Sequence, residues 1–136
     1  MIVLKRKDYE ALLAHARAQL PEEACGLLAG RHKGGDRFVE KVYLLENADH
    51  SPYHFSLSPQ EQLSSILDMR DQGLELLGNW HSHPETPSRP SAEDIRLAFD
   101  PNASYLILSL AEVEPVLHSF RIQEGKTETE SLTIEE

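Results

Sequence analysis

Two histidines one residue apart, His81 and His83, stand in the segment Asn79-Trp80-His81-Ser82-His83-Pro84. If they continue an extended strand, both imidazoles leave the same face, because strand side chains alternate with period two. Two such rings can share a cation. Asp94 follows after ten intervening residues, behind Pro90-Ser91. A helix opened by Pro90-Ser91 would carry Asp94 in its first turn, where its carboxylate can swing back over the strand end. Two ring nitrogens and one carboxylate oxygen make a three-ligand set with a fourth tetrahedral position open to water, the pattern of a catalytic zinc site rather than a structural one. A lone His-x-His is more often a pair of surface histidines, and Ser91-x-x-Asp94 is also an ordinary helix N-cap arrangement. The combination of all four residues with their prolines is far more specific than any part.

These residues need elements to position them. Tyr9, Leu12, Leu13, Ala16 and Leu20 fall at helical spacing and predict an amphipathic first helix over 7–20, ended by Pro21. Ala24 to Gly30 is a short apolar run, and Phe38 to Leu45 resumes with strand-like residues, so a hairpin across Gly34-Gly35 is expected. Ser58-Pro59-Gln60-Glu61 pairs an N-cap serine with a first-turn proline and a glutamate at the third helical position. The helix it opens carries Leu63, Ile66, Leu67 and Met69 and should end near Gly73. Leu74 to Trp80 reads as a buried strand running into His81. A short helix over 91–99, strands over 105–110 and 116–122, and a last edge strand through Leu132 and Ile134 complete the pattern. Mixed strands and helices without regular βαβ repeats predict an α+β or mixed α/β sandwich.

At 136 residues the chain has the size of one domain and could bury roughly 68% of its unfolded surface. With 13 Lys and Arg against 23 Asp and Glu, its net charge is −10, which argues against a polyanion-binding surface. The longest basic cluster, Lys5-Arg6-Lys7, reads as a solvated strand-to-helix junction. Cys25 is the only cysteine, so no intrachain disulfide can form, in keeping with a reducing compartment. No leader or membrane-spanning pattern is visible, and the cytoplasm is the expected location.

The segment His81-Ser82-His83-Pro84, then Pro90-Ser91 and Asp94, resembles the His-x-His-Pro, ten-residue gap, Ser-x-x-Asp signature of the JAMM (MPN-plus) metallopeptidases. Upstream, Pro21-Glu22-Glu23-Ala24-Cys25-Gly26-Leu27-Leu28-Ala29-Gly30 resembles that family's Glu-x-x-Gly-Leu-Leu-x-Gly segment. The resemblance covers residues 1 to 122 and implies a single JAMM/MPN domain over 1–136, with a cytidine-deaminase-like mixed sheet sandwiched by helices. It also implies zinc on His81, His83 and Asp94, a water as fourth ligand, and hydrolysis of amide or isopeptide bonds after the C-terminal glycine of ubiquitin-like or sulfur-carrier proteins. The chain alone does not choose between Glu22 and Glu23 as the base; motif register, three residues back from Gly26, selects Glu23. The serine matching Ser91 assists at the oxyanion. Ser82 should face away from the metal. The expected partner is a ubiquitin-like or sulfur-carrier protein with an extended tail, captured as an added strand; no nucleic acid and no membrane is expected.

Other readings have less behind them. A non-catalytic MPN scaffold would lack one or more of Glu23, His81, His83, Ser91 and Asp94, and all are present. DNA-repair relatives typically continue the motif with Ser-Gly-Asp-Pro, where this chain has Glu85-Thr86-Pro87-Ser88. A phage-tail peptidase would usually carry a second domain. Cys25 has no thiolate-activating context and reads as a buried small hydrophobe. His15, His32, His50, His54 and His118 lack paired spacing and are expected at the surface or hydrogen-bonded, while Trp80 is expected to pack at the strand end.

Overall fold

The computed structural model describes residues 1–136. Its elements in chain order are β1 (Ile2–Lys5), α1 (Arg6–Gln19), β2 (Cys25–Lys33), β3 (Asp36–Leu45), α2 (Pro59–Asp71), β4 (Glu75–His83), α3 (Ala92–Arg96), β5 (Ser104–Ser109), β6 (Val116–Gln123), β7 (Lys126–Glu130) and β8 (Leu132–Glu135). The eight strands form one mixed sheet in the order β7-β6-β5-β4-β2-β3-β1-β8. The expected α+β architecture is the one observed.

Alternation along the central strands divides the apolar residues between two faces. Leu28, Val39, Leu77, Trp80, Leu106 and Leu108 bury against Leu12 and Ala16 of α1. On the opposite face, Leu27 and Ala29 pack with Met69 of α2, and Ile107 and Ile122 pack with Ile95 and Ala98 around α3. His81 follows Trp80, so it points to the side that carries α2 and α3. Trp80 is fully buried and donates its indole N–H to the Tyr43 carbonyl at 3.1 Å, a packing role as expected.

The local signals behave as their chemistry requires. Gly34 and Gly35, at φ +61° and +84°, make the tight hairpin between β2 and β3 in the left-handed region that a side chain resists. Ser58 accepts from the Glu61 N–H at 3.4 Å and caps α2. Three expectations need correction. Leu63 and Leu67 do not face the core: they are 59% and 47% exposed, and α2 instead buries Ser65 and Met69 with Ile66 packed beside them. The short helix spans only Ala92–Arg96. Gly125 turns the chain into β7, a wholly polar strand that alternation of apolar residues cannot reveal, before β8 crosses to pair in parallel with β1 at the opposite edge.

Candidate functional site

β4 is held on both sides where it matters. It runs antiparallel to β2, with Cys25 opposite His81, and parallel to β5, with His81 beside Ile107 and His83 beside Ser109. Residues opposite one another in an antiparallel pair project to the same face. Two residues further along each chain, continuing that register sets Glu23 level with His83 on the same face, although 57 residues separate Glu23 from His81 in sequence. Ser82 points the other way, as expected, and fastens this corner: its hydroxyl accepts from the Ala24 N–H at 2.8 Å and its own N–H donates to the Ala24 carbonyl at 2.9 Å.

The loop after β4 is stapled rather than free. Ser88 Oγ donates to the Ile107 carbonyl at 2.6 Å, and Ser109 Oγ donates to the Thr86 carbonyl at 2.6 Å. That path delivers Ser91 to the N-cap of α3. The Ser91 hydroxyl accepts from the Asp94 N–H at 3.0 Å, and Asp94 Oδ2 accepts from the Ser91 N–H at 2.9 Å, a complete capping box.

The result is a compact triangle of three potential ligand atoms. His81 Nε2 and His83 Nε2 lie 3.1 Å apart, and each lies 3.2 Å from Asp94 Oδ2. His83 Nδ1 is 2.9 Å from the Pro87 carbonyl, which can only accept, so that nitrogen carries the proton and Nε2 turns a lone pair inward. A tetrahedral ion with bonds of ~2.0 Å spaces its ligands ~3.3 Å apart, close to the observed edges. Three such atoms within one small triangle can share a cation, and the donor set of two imidazoles and one carboxylate fits zinc.

Burial shapes the charges. Glu23 is 4% exposed, and its Oε1 is buried without a hydrogen-bond partner. Burial pushes the Glu23 carboxyl up to about 8, against the pull of His83 and with help from Asp94 and Glu93. Burial would also raise Asp94, but hydrogen bonds with His81, His83 and the Ser91 N–H outweigh it and hold the carboxyl well below its ordinary range. Burial lowers His81 despite the pull of Asp94. His83 is raised, because the burial that would lower it is outweighed by Asp94 and the Pro87 carbonyl. Cys25 is fully buried and burial pushes its thiol up to about 12, so it stays protonated. Glu22 lies outside the cluster, its carboxylate 3.2 Å from His50. His15, His32, His54 and His118 likewise have hydrogen-bond partners away from the triangle.

Two residues that spacing did not single out complete the site. Asn47 is buried, and its amide donates to the carbonyls of Glu23, Ser51 and His54 at 3.1, 3.3 and 3.0 Å, while its oxygen accepts from the Asp49 and Ser56 N–H groups. One side chain thus gathers the loop between β3 and α2 and ties it to Glu23. Phe55, on that loop, stacks on His81 with centroids 4.7 Å apart and planes 26° from parallel. Their only sequence signal is an Asn and a Phe in a loop of mixed polar and apolar residues, which names no partner. No helix is long and apolar enough to cross a membrane.

Comparison with known proteins bears on family and fold. The chain is 35% identical over 137 residues to the CysO-cysteine peptidase of Mycobacterium tuberculosis, covering 100% of this chain and 92% of that one. It is 34% identical over 105 residues to the desampylase of Haloferax volcanii, covering 74% of each. A solution structure of a Desulfitobacterium hafniense protein superposes with a TM-score of 0.93 at 58% identity, covering 100% of this chain and 94% of that one. The family model described as prokaryotic homologs of the JAB domain matches residues 5–123. The chain belongs to that family, the prokaryotic JAB-domain proteins.

Proposed function

We propose that this chain is a zinc-dependent peptidase that hydrolyses the amide bond after the C-terminal Gly-Gly tail of a ubiquitin-like or sulfur-carrier protein. The observation that carries the reading is the pairing of a three-atom ligand triangle with a buried, unpartnered carboxyl, Glu23, on the same sheet face. The names of the relatives, a CysO-cysteine peptidase and a desampylase, support the substrate class. In this reading a single domain in the cytoplasm acts on a protein tail, with neither nucleic acid nor membrane as a partner.

His81, His83 and Asp94 would hold the ion. When bound, zinc supplies Lewis acidity and lowers the pKa of a coordinated water to about 7. Glu23 Oε1 takes a proton from the attacking water and delivers it to the leaving nitrogen, work that contributes about 10²–10⁴-fold. The Glu23 Oε1 has no hydrogen-bond partner in the protein, which leaves that oxygen free to hold the proton between the two steps. Oxygen from water joins the carbonyl carbon, the C–N bond breaks, and the products are a carboxylate and an amine. The Ser91 hydroxyl accepts from the Asp94 N–H and keeps its own proton free to donate to the carbonyl oxygen as charge develops there.

The test is metal analysis joined to cleavage of carrier fusions whose tails end in Gly-Gly before the scissile bond. One zinc per chain, cleavage abolished by chelation, and a loss of at least about 10²-fold in kcat for Glu23→Gln with zinc retained are expected. Cleavage that survives chelation or Glu23→Gln overturns the mechanism. Failure to take up stoichiometric zinc would favour a non-catalytic scaffold.

A further inference from the structure

His81 and His83 are held by different means. His83 fixes its ring through Nδ1, which donates to the Pro87 carbonyl at 2.9 Å. His81 also turns Nε2 to the triangle, and to offer that atom as a ligand it must carry its ring proton on Nδ1. That nitrogen is buried and has no hydrogen-bond partner in the protein. Its neighbours explain why. On the sheet, His81 stands between Cys25 of β2 and Ile107 of β5, both fully buried. An alkyl group accepts nothing, and a thiol accepts only weakly.

A ligating histidine normally donates its second ring N–H to a carbonyl, a carboxylate or water, and that bond sets the orientation of the ring. Without it the imidazole is free to turn about its Cβ–Cγ bond, a torsion with broad wells. What covers His81 instead is an aromatic ring. Phe55 lies over it with centroids 4.7 Å apart and planes 26° from parallel, the geometry of an offset stack. A ring lying nearly flat on the imidazole opposes rotation out of that plane and leaves Nε2, at the edge, facing the triangle. From these contacts, and resting on the metal assignment above, we infer that Phe55 is a positioning residue for His81. Its ring does for one ligand what the Pro87 carbonyl does for the other.

The backbone holds Phe55 to that task from both sides. The Asn47 amide donates to the carbonyl of His54, the residue before it, at 3.0 Å. The Asn47 oxygen accepts from the N–H of Ser56, the residue after it, at 3.3 Å. The Ser56 carbonyl in turn accepts from the Ala48 N–H at 2.9 Å, and Asn47 and Leu57 form an isolated bridge. Asn47 is fully buried, so this clamp lies inside the protein rather than in solvent, where such bonds would exchange with water. The same amide reaches the Glu23 carbonyl at 3.1 Å, which sets Phe55 in fixed register with Glu23. Tyr53, two residues earlier on the loop, is 75% exposed and supplies an internal contrast.

The experiment measures zinc affinity by competition with a chromophoric chelator, and the visible absorption of the cobalt(II)-loaded protein. It compares wild type with Phe55→Tyr, which keeps the ring, Phe55→Leu, which keeps apolar bulk without it, Phe55→Ala and Tyr53→Ala. Phe55→Ala should bind zinc at least about tenfold more weakly than wild type and Phe55→Leu at least about fivefold, while Phe55→Tyr and Tyr53→Ala stay within about threefold. At saturating cobalt the ligand-field bands of Phe55→Leu and Phe55→Ala should shift or broaden, and those of Phe55→Tyr should keep the wild-type shape. A looser loop with an undisturbed His81 would leave those saturated bands unchanged in every variant, and that result overturns the inference. So does a Phe55→Leu variant that binds zinc as tightly as wild type, or a Phe55→Tyr variant that loses as much affinity as Phe55→Ala. Each of these leaves the peptidase reading intact. A wild type that takes up no stoichiometric zinc overturns both.

Discussion

Ser82 sits between the two candidate ligands yet points away from them, and its removal separates the positioning of Glu23 from the holding of metal. In Ser82→Ala the Ala24 N–H loses its partner in a fully buried place, because the Ser82 hydroxyl at 2.8 Å is what satisfies it. A buried donor left unpaired costs about 1–3 kcal/mol. With a urea dependence of ~2 kcal/mol per molar, the unfolding midpoint in chelator should fall by about 0.5–1.5 M. Glu23 is the next residue along, so the loosened corner moves the base relative to the imidazoles. A displacement of ~1 Å at a reacting group costs on the order of 10²-fold in rate. The histidines keep their places through pairing with Ile107 and Ser109 and through the Pro87 carbonyl. The expected result is a fall of about 10- to 100-fold in kcat on a Gly-Gly fusion, with zinc affinity unchanged within about threefold. A midpoint shift under about 0.2 M, or zinc affinity falling in step with kcat, would refute the reasoning.

Metal should stabilise the fold through the same triangle. Zinc held at 100 times its dissociation constant adds ~2.7 kcal/mol, about 10 °C in melting temperature, and His81→Ala should abolish that shift; an equal shift in the variant would place the ion elsewhere. Asp8 carries a buried Oδ2 without a partner, and burial raises its carboxyl despite Lys7 and Lys5. A carboxyl raised in the folded state binds its proton more tightly there, so it favours the fold below its unfolded value near 3.9 and loses that contribution as pH rises through its folded value. Asp8→Asn should therefore raise the melting temperature at pH 7 and leave it nearly unchanged at pH 3, and equal shifts at both would refute the sign. A Cβ at Gly26 would land on the Tyr43 carbonyl inside the β2–β3 ladder, where neither backbone can yield. Gly26→Ala should cost about 3 kcal/mol or more and leave little soluble protein, and a variant melting within about 2 °C of wild type would show that the ladder gives.

The parts of the site legible in the sequence were those fixed by short-range periodicity. His81 and His83 share a face because a strand has period two, and Asp94 returns to them because Ser91 opens a helix three residues earlier. Glu23 is of another kind. Its place depends on β2 lying beside β4, a pairing of segments far apart in the chain, and only the resemblance to known motifs selected it over Glu22. Asn47 and Phe55 were invisible because a loop's role is set by what it touches rather than by its spacing. Leu63 and Leu67 misled because they sit at helical spacing yet turn outward, while β7 escaped notice because an edge strand of Lys, Thr and Glu carries no apolar residue to alternate.

Asp94 Oδ2 serves the backbone and the imidazoles at once, accepting from the Ser91 N–H while lying 3.2 Å from each ring nitrogen. A helix of five residues does not persist on its own propensity, since nucleation alone outweighs the hydrogen bonds it can make. The order of residues 92–96 and the closure of the triangle are thus two faces of one equilibrium. By reciprocity, whatever tightens one tightens the other by the same free energy. A closed-shell ion gives no optical signal of its own, but the amide protons of that single helical turn would register its arrival through slowed exchange.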